Sequence, residues 1–259
     1  MWPEAIYQQA LALIEQGINN CEIGRRLGIP RRTILDWRVG LQARSGGRTA
    51  SWSGRRRGKC FRCHGGWVDE EAYAYLLGIY LGDGCLSLHP RGVYRLRVAC
   101  DLKHPNIVNE IATQMAIVQG TERIGFTVQK GCVVVSTYWK HWACLFPQHG
   151  PGRKHERTIE LDPWQQAIVD VQCKALIRGL IHSDGNRHIN EVTRETSSGS
   201  KRYRYSRYMF TNASTDILGI FTDALDLLRI HWTKKSPRDI AVSRREDVAL
   251  LDAFVGPKS

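Results

Sequence analysis

Two stretches of the chain are near copies of one another, and this repetition restricts the fold more than any other feature. Residues 75–84 read YLLGIYLGDG and residues 176–185 read LIRGLIHSDG. Each is an apolar run at helical spacing closed by Asp-Gly. One such run is common, because glycine readily closes a helix. Two are informative because the segments after them repeat as well. After Gly84 come the strand-like stretches CLSLH and VYRLRVAC, a helix from about Pro105 to Val118, the strand pair GFTVQK and CVVVST, and a short helix near Tyr138 to Leu145. After Gly185 come NRHINEVTR and KRYRYSRYMF, a helix from about Thr215 to Leu228, the pair HWTKK and DIAVS, and a closing helix near Arg245 to Phe254. The pattern predicts an α+β fold, a tandem pseudo-twofold repeat of αββαββα, with one half over 69–149 and the other over 150–259.

Chemistry is concentrated at the repeated helix ends. Gly78 and Gly82 share one helix face, as do Gly179 and Ser183, and small residues four apart let two helices cross closely. That crossing predicts Asp83 and Asp184 side by side. Adjacent carboxylates repel, so one would take up a proton. Divalent cations such as magnesium relieve the repulsion, and the free carbonyls of Gly82 and Ser183 at the helix C-termini add oxygen ligands. Phosphodiester hydrolysis uses metal and acid in this way.

Charge is divided unequally along the 259 residues. The net charge is +12, which suits a polyanionic partner. Residues 1–66 hold 12 Lys+Arg against 4 Asp+Glu, so most of the excess lies in the first quarter. Within it, residues 38–59 carry seven basic residues, Arg55, Arg56 and Arg57 among them, and no acid. A stretch of that composition, rich in Gly and Ser, builds no core. It reads as a linker, over 41–68, that lies along phosphates. Before it, Ile6, Ala10, Leu13 and Ile14 make one helical stripe, Gly17 ends that helix, Asn20 caps a second with Ile23 and Leu27 on one face, and Gly28 turns the chain. Pro30 suits the start of a third helix with Ile34 and Trp37 inward. The sequence ALALIEQGINNCEIGRRLGIPRRTILDWR resembles resolvase-type helix-turn-helix modules, placing a small all-α unit over 1–40. That resemblance implies a recognition helix with Arg31 and Arg32 at its N-terminal end.

Of eight cysteines, only Cys60 and Cys63 stand at metal-ligand spacing. One Cys-x-x-Cys is half of a structural zinc site. Cys144 and His149, in HWACLFPQHGPGRKH, can complete a tetrahedral zinc site that clamps the linker to the main body; the alternative is a pair of free thiols.

The paired Asp-Gly motifs and the repeated topology resemble the single-chain, two-motif LAGLIDADG homing endonucleases, over about three quarters of the chain from Asp69 onward. The resemblance implies that Asp83 and Asp184 bind catalytic divalent metals. The motif's earlier acidic position holds Leu81 in one copy and His182 in the other, a departure from the pattern. The family places a basic residue near each metal, which the resemblance carries to Lys103 in the first half and Arg187 in the second, with Asn212 at the matching strand-to-helix junction. It further implies two strand sets forming a saddle in the DNA major groove, cut across the minor groove to leave short 3′ overhangs. Strand alternation puts Arg95 and Arg97 opposite Tyr94, Leu96 and Val98, and Arg202 and Arg204 opposite Tyr203 and Tyr205. Arg153 and Lys154, in the linker between halves, add backbone contacts.

These readings predict a site-specific double-strand DNA endonuclease, dependent on magnesium or another divalent cation, with zinc or free thiols at Cys60 and Cys63, that acts as a monomer with an internal pseudo-dimer. Alternatives on the same fold are a DNA-binding transcription regulator and an RNA-splicing maturase. No apolar run approaches the roughly 20 residues that span a bilayer, and the N-terminus lacks the order of a signal peptide. The expected location is the cytoplasm, at the nucleoid in a bacterial or phage context.

Overall fold

The computed structural model describes residues 2–30, 33, 34, 37, 60–196, 199–256 and 258. The predicted contacts of Arg31, Arg32, Arg55, Arg56 and Arg57 lie outside the described residues. At the N-terminus, α1 (Glu4–Glu15) and α2 (Asn20–Leu27) pack with Ile34 and Trp37 into a small core of their own, centred on Ala10 and Ile23. The cap of α2 is Asn19 rather than Asn20: its side chain accepts from the amides of Cys21 and Glu22 at 3.1 and 3.0 Å. Gly28, at φ 65°, closes the helix in the left-handed region that only glycine adopts without strain.

A one-turn helix α3 (Phe61–His64) opens the main body. The first half then runs α4 (Glu70–Leu81), β1 (Gly84–His89), β2 (Val93–Asp101), α5 (Pro105–Gln119), β3 (Gly125–Gln129), β4 (Cys132–Trp139) and α6 (Trp142–Leu145). The second runs α8 (Cys173–Asp184), β5 (Gly185–Thr196), β6 (Gly199–Thr211), α9 (Thr215–Leu227), β7 (Thr233–Ser236), β8 (Asp239–Val242) and α10 (Arg245–Val255). Both sheets are antiparallel with the same order, β1-β2-β4-β3 and β5-β6-β8-β7. The α+β tandem repeat is therefore observed.

Two departures from the sequence reading have local causes. Tyr138 and Trp139 stay in β4, paired with Arg95 and Tyr94, and only one helical turn follows. A further helix, α7 (Pro163–Val171), lies between the halves, with Asp162 and Gln165 in a capping box and Pro163 in its first turn. Gln165 is fully buried and donates at 2.7 Å to the Tyr73 hydroxyl, which donates at 2.6 Å to the Leu145 carbonyl. This network ties α7, α4 and α6 together.

Helices α4 and α8 form the centre of a core continuous across both halves. Every residue of α4 from Ala72 to Leu81 is buried, as expected of a helix apolar all round. Their backbones meet at the predicted glycines. A Cβ at Gly78 would stand 2.5 Å from the Leu176 carbonyl oxygen, and one at Gly179 would overlap that of Tyr75. No other residue type permits that approach.

Candidate active site

The close crossing brings the ends of α4 and α8 together. A Cβ at Gly82 would lie 3.0 Å from Asp184 Oδ2, so the first Asp-Gly end abuts the second. Asp83 opens to solvent beside a cleft of about 230 Å³ lined by Asp101, His104, His182, Ser183 and Lys258 among others. The surrounding protein still removes enough water to raise its carboxyl above the usual carboxylate range. Asp184 is half-buried. Desolvation first, and then the charge of Asp83, push it up to about 6. Repulsion of the predicted sense thus acts on Asp184, second to desolvation.

Part of its relief comes from two lysines that sequence reasoning did not place there. Lys154 sits in a single 3-10 turn (Lys154–Glu156) after the first half. Its Nζ donates to the carbonyls of Leu81 and Gly82 at 3.0 and 2.6 Å, and also to that of Tyr80. Lys258, just past α10, donates to the Ser183 carbonyl at 3.3 Å and to that of Gly185. Each lysine therefore neutralises one helix C-terminus, where carbonyls lack intrahelical partners. Burial lowers both ammonium groups, Lys154 to about 8, while Asp83 and Asp184 pull them back up. Arg157 positions the Lys154 turn by donating to the carbonyls of Gly150, Pro151 and Gly152 at 2.8, 3.0 and 3.2 Å.

The remaining predicted residues divide. Asn212 reaches the site: its Nδ2 donates to Asp184 Oδ2 at 2.6 Å, while its Oδ1 accepts from the Ser214 amide at 2.8 Å, which fixes the amide's orientation. The described contacts of Lys103 and Arg187 are with other residues. Lys103 is exposed beyond the end of β2, its amide on Asp101 Oδ1 at 2.9 Å. Arg187 forms a two-pronged ion pair with Asp252 at 2.7 and 2.8 Å. The cations acting on both aspartates are Lys154 and Lys258. Lys154 thus belongs to the acid pair, whereas Arg153 beside it is exposed. His182 lies buried between the helices. Its Nδ1 accepts from the Tyr75 hydroxyl at 2.9 Å and its Nε2 donates to the Val255 carbonyl at 2.9 Å, and burial pulls its pKa down to about 4.

The sheets carry the predicted arginines with one correction. Leu96 and Val98 are buried while Arg97 between them is exposed; Arg95 is half-buried, donating to Ser136 Oγ at 3.1 Å. In β6, Arg202 and Arg204 pair with Glu191 across the hairpin, the second at 3.4 Å. Tyr203 and Tyr205 on the opposite face are exposed as well, because this end of the β5–β6 hairpin has no core beneath it.

The chain is similar to solved LAGLIDADG meganucleases. The homing endonuclease I-DmoI, solved with DNA and calcium, aligns with 71% of this chain and 89% of its own at 16% identity and a TM-score of 0.47. The LAGLIDADG meganuclease I-AabMI bound to uncleaved DNA aligns over 70% and 82% at 10% identity and a TM-score of 0.45. The meganuclease I-SmaMI bound to uncleavable DNA aligns over 73% and 86% at 9% identity and a TM-score of 0.41. The likeness to these LAGLIDADG proteins concerns the fold alone. No protein-family model matches the sequence, and none of the curated proteins does.

A second cluster lies away from the acid pair. Cys60, Cys63, His141 and Cys144 turn four donor atoms to within 4.8 Å of one another, a set that could bind zinc. His141 occupies the place expected of His149, whose Nδ1 faces the Phe146 carbonyl at 3.0 Å. The overlooked signal was HWAC: His141 and Cys144 stand three apart across one helical turn, as Cys60 and Cys63 do. Among the described residues, no helix is long and apolar enough to cross a membrane.

Proposed function

We propose that the protein is a divalent-metal-dependent, site-specific double-strand DNA endonuclease, acting as a monomer whose two halves each serve one strand. The observation that carries this reading is the abutting pair of acidic helix ends, each with its own carbonyls and its own lysine. The donor set fits a hard divalent cation. Asp83 and Asp184 supply carboxylate oxygens, Gly82 and Ser183 supply carbonyl oxygens, and these carbonyls already attract a cationic group in the form of lysine Nζ.

Asp83, Asp184 and the carbonyls of Gly82 and Ser183 would hold magnesium, which would supply charge stabilisation at the scissile phosphate and acidify a water. The chain's own residues supply the rest. Asn212 aims the Asp184 carboxylate. Lys154, its ammonium brought down to about 8, is suited to move a proton near neutral pH and to neutralise charge developing on phosphate. Lys258 has the same place in the other half. Arg97 and Arg153 are exposed for backbone phosphates, and the N-terminal helices extend the footprint. The carboxyl of Asp184 must be ionised to hold a cation. With that group pushed up to about 6, metal binding and cleavage rise with pH through about 6.

One observation favours a second reading, a regulator that binds DNA without cutting. Lys154 and Lys258 help balance Asp83 and Asp184, so the acid pair is tolerable without metal. Incubation of the full chain with magnesium and a duplex spanning the insertion site of its own gene separates the two. Linear product with short 3′ overhangs supports the nuclease; tight binding with no strand broken in magnesium or manganese overturns it.

A further inference from the structure

We propose that Cys60, Cys63, His141 and Cys144 hold one structural zinc ion, and that this ion fastens the C-terminal end of the N-terminal arm to the first half of the body. Three of the four donors stand near the separations of a metal shell, and Cys60 lies within 4.8 Å of them. Tetrahedral zinc, with Zn–S near 2.3 Å and Zn–N near 2.0–2.1 Å, sets ligand sulfurs about 3.8 Å apart and sulfur and nitrogen about 3.6 Å apart. Here Cys63 Sγ lies 3.6 Å from Cys144 Sγ and 3.1 Å from His141 Nδ1, and Cys144 Sγ lies 3.7 Å from His141 Nδ1.

Both sides of the shell are built by short turns. The Cys60 carbonyl accepts from the amides of His64 and Gly66 at 3.0 and 3.1 Å, and Gly65 at φ 56° completes a turn that points both sulfurs one way. Opposite, the single turn α6 puts His141 and Cys144 on one side, and Tyr73 holds that turn from within through the Leu145 carbonyl. The His141 ring packs against Trp139 and His64 at 5.3 and 4.9 Å between centroids. Its Nε2 is buried with no hydrogen-bond partner, so the polar contacts of this imidazole are the thiols at Nδ1. A metal at Nδ1 would turn these thiol contacts into one shared coordination shell. All four positions are protein donors, as in structural rather than catalytic zinc sites.

The location gives the ion its role. The N-terminal helices have their own core, whereas Cys60 already belongs to the core of the body. Four residues of helix have negligible stability alone. Beyond the cluster, α3 meets the body through Phe61 and Arg62 on the ring of Trp164. Fastened, the arm leaves the body from one fixed point beside the first half, and arm and body bind a single duplex with a high effective concentration.

The metal is tested without reference to nuclease activity. Elemental analysis of the purified full chain is expected to give about one zinc per chain, with background levels in C63S, C144S and H141Q, and a full complement in the control C85S. Cobalt replacing zinc is expected to show the thiolate charge-transfer and tetrahedral d–d bands, lost in C63S. Cys63 is exposed, so that variant keeps its fold. Fastening is read by trypsin cutting after Arg62. Zinc removal, or C63S, is expected to speed that cut about tenfold or more while the body stays intact. Wild-type protein with neither zinc nor the cobalt bands, or with a Cys63–Cys144 disulfide, overturns the metal. Zinc present with an unchanged rate at Arg62 overturns the fastening.

Discussion

The two halves share a topology and differ at the atoms that matter. In each, a motif helix ends in Asp-Gly, a lysine arrives from beyond the last helix of the half, and its ammonium covers the helix end. Two residues beyond the strand partner of each motif's closing glycine the halves then differ: Cys100 in the first, Asn212 in the second. Asp184 accordingly has a side-chain hydrogen bond from Asn212, and Asp83 receives none among the described residues. The hairpins differ too, with strands of 6 and 9 residues in the first half and 12 and 13 in the second. What holds the helix pair together is thus common to both halves, whereas the surroundings of each acid differ. On the proposed nuclease reading, the two acids therefore act at unequal rates and on unlike half-sites.

The lysines test the shared part of that comparison most severely. Lys154→Met and Lys258→Met are each expected to slow cleavage of a duplex by about a hundredfold or more, the usual scale of a positioned acid or base, with binding preserved. An effect confined to one of them breaks the equivalence of the two centres. The helix crossing comes next. Gly179→Ala places a Cβ against the Tyr75 carbonyl and is expected to destabilise by about 3 kcal/mol or more in denaturant melts. Gly219→Ala, where α9 leaves open space, is neutral or slightly stabilising.

A pH titration sharpens the contrast between Leu81 and His182, which hold matching places in the two motifs. The unfolded chain takes up a proton on His182 near 6.5, whereas the folded chain resists until about 4. Stability is therefore expected to fall as pH drops through that window, by an amount on the order of 3 kcal/mol. His182→Leu, copying the first half, should abolish that slope in melts from pH 7 to 4, while leaving the Tyr75 hydroxyl without its acceptor. The smallest effect is expected at the divergent junction. Asn212→Ala should slow cutting of one strand about tenfold, the scale of a lost charge-assisted hydrogen bond, so that nicked circles accumulate.

Features written in local pattern were legible in the sequence. The helix ends at Asp83 and Asp184, the close-packing glycines and the order of strands follow from periodicity and from residue size. Helix α7 was missed, although Asp162-Pro163 and Gln165 carry a helix-start signal. Lys154 and Lys258 were not legible, because a lysine in a loop looks solvated until the tertiary fold carries it to a distant helix end. Arg187 shows the converse: closeness in sequence to an acidic motif does not aim a side chain, and Asp252 claims this one. The fourth ligand of the cysteine cluster depended on choosing between His141 and His149, which only the direction of the turn after β4 decides.

Strand-resolved cleavage by the wild-type chain, Asp83→Asn and Asp184→Asn, in magnesium and on the duplex the wild type binds most tightly, tests the central claim most directly. The account predicts metal-dependent cutting by the wild type and a loss of about a thousandfold or more in each variant, with DNA affinity within about twofold. Cutting that persists in both variants, or that proceeds at full rate in a chelator, would contradict it.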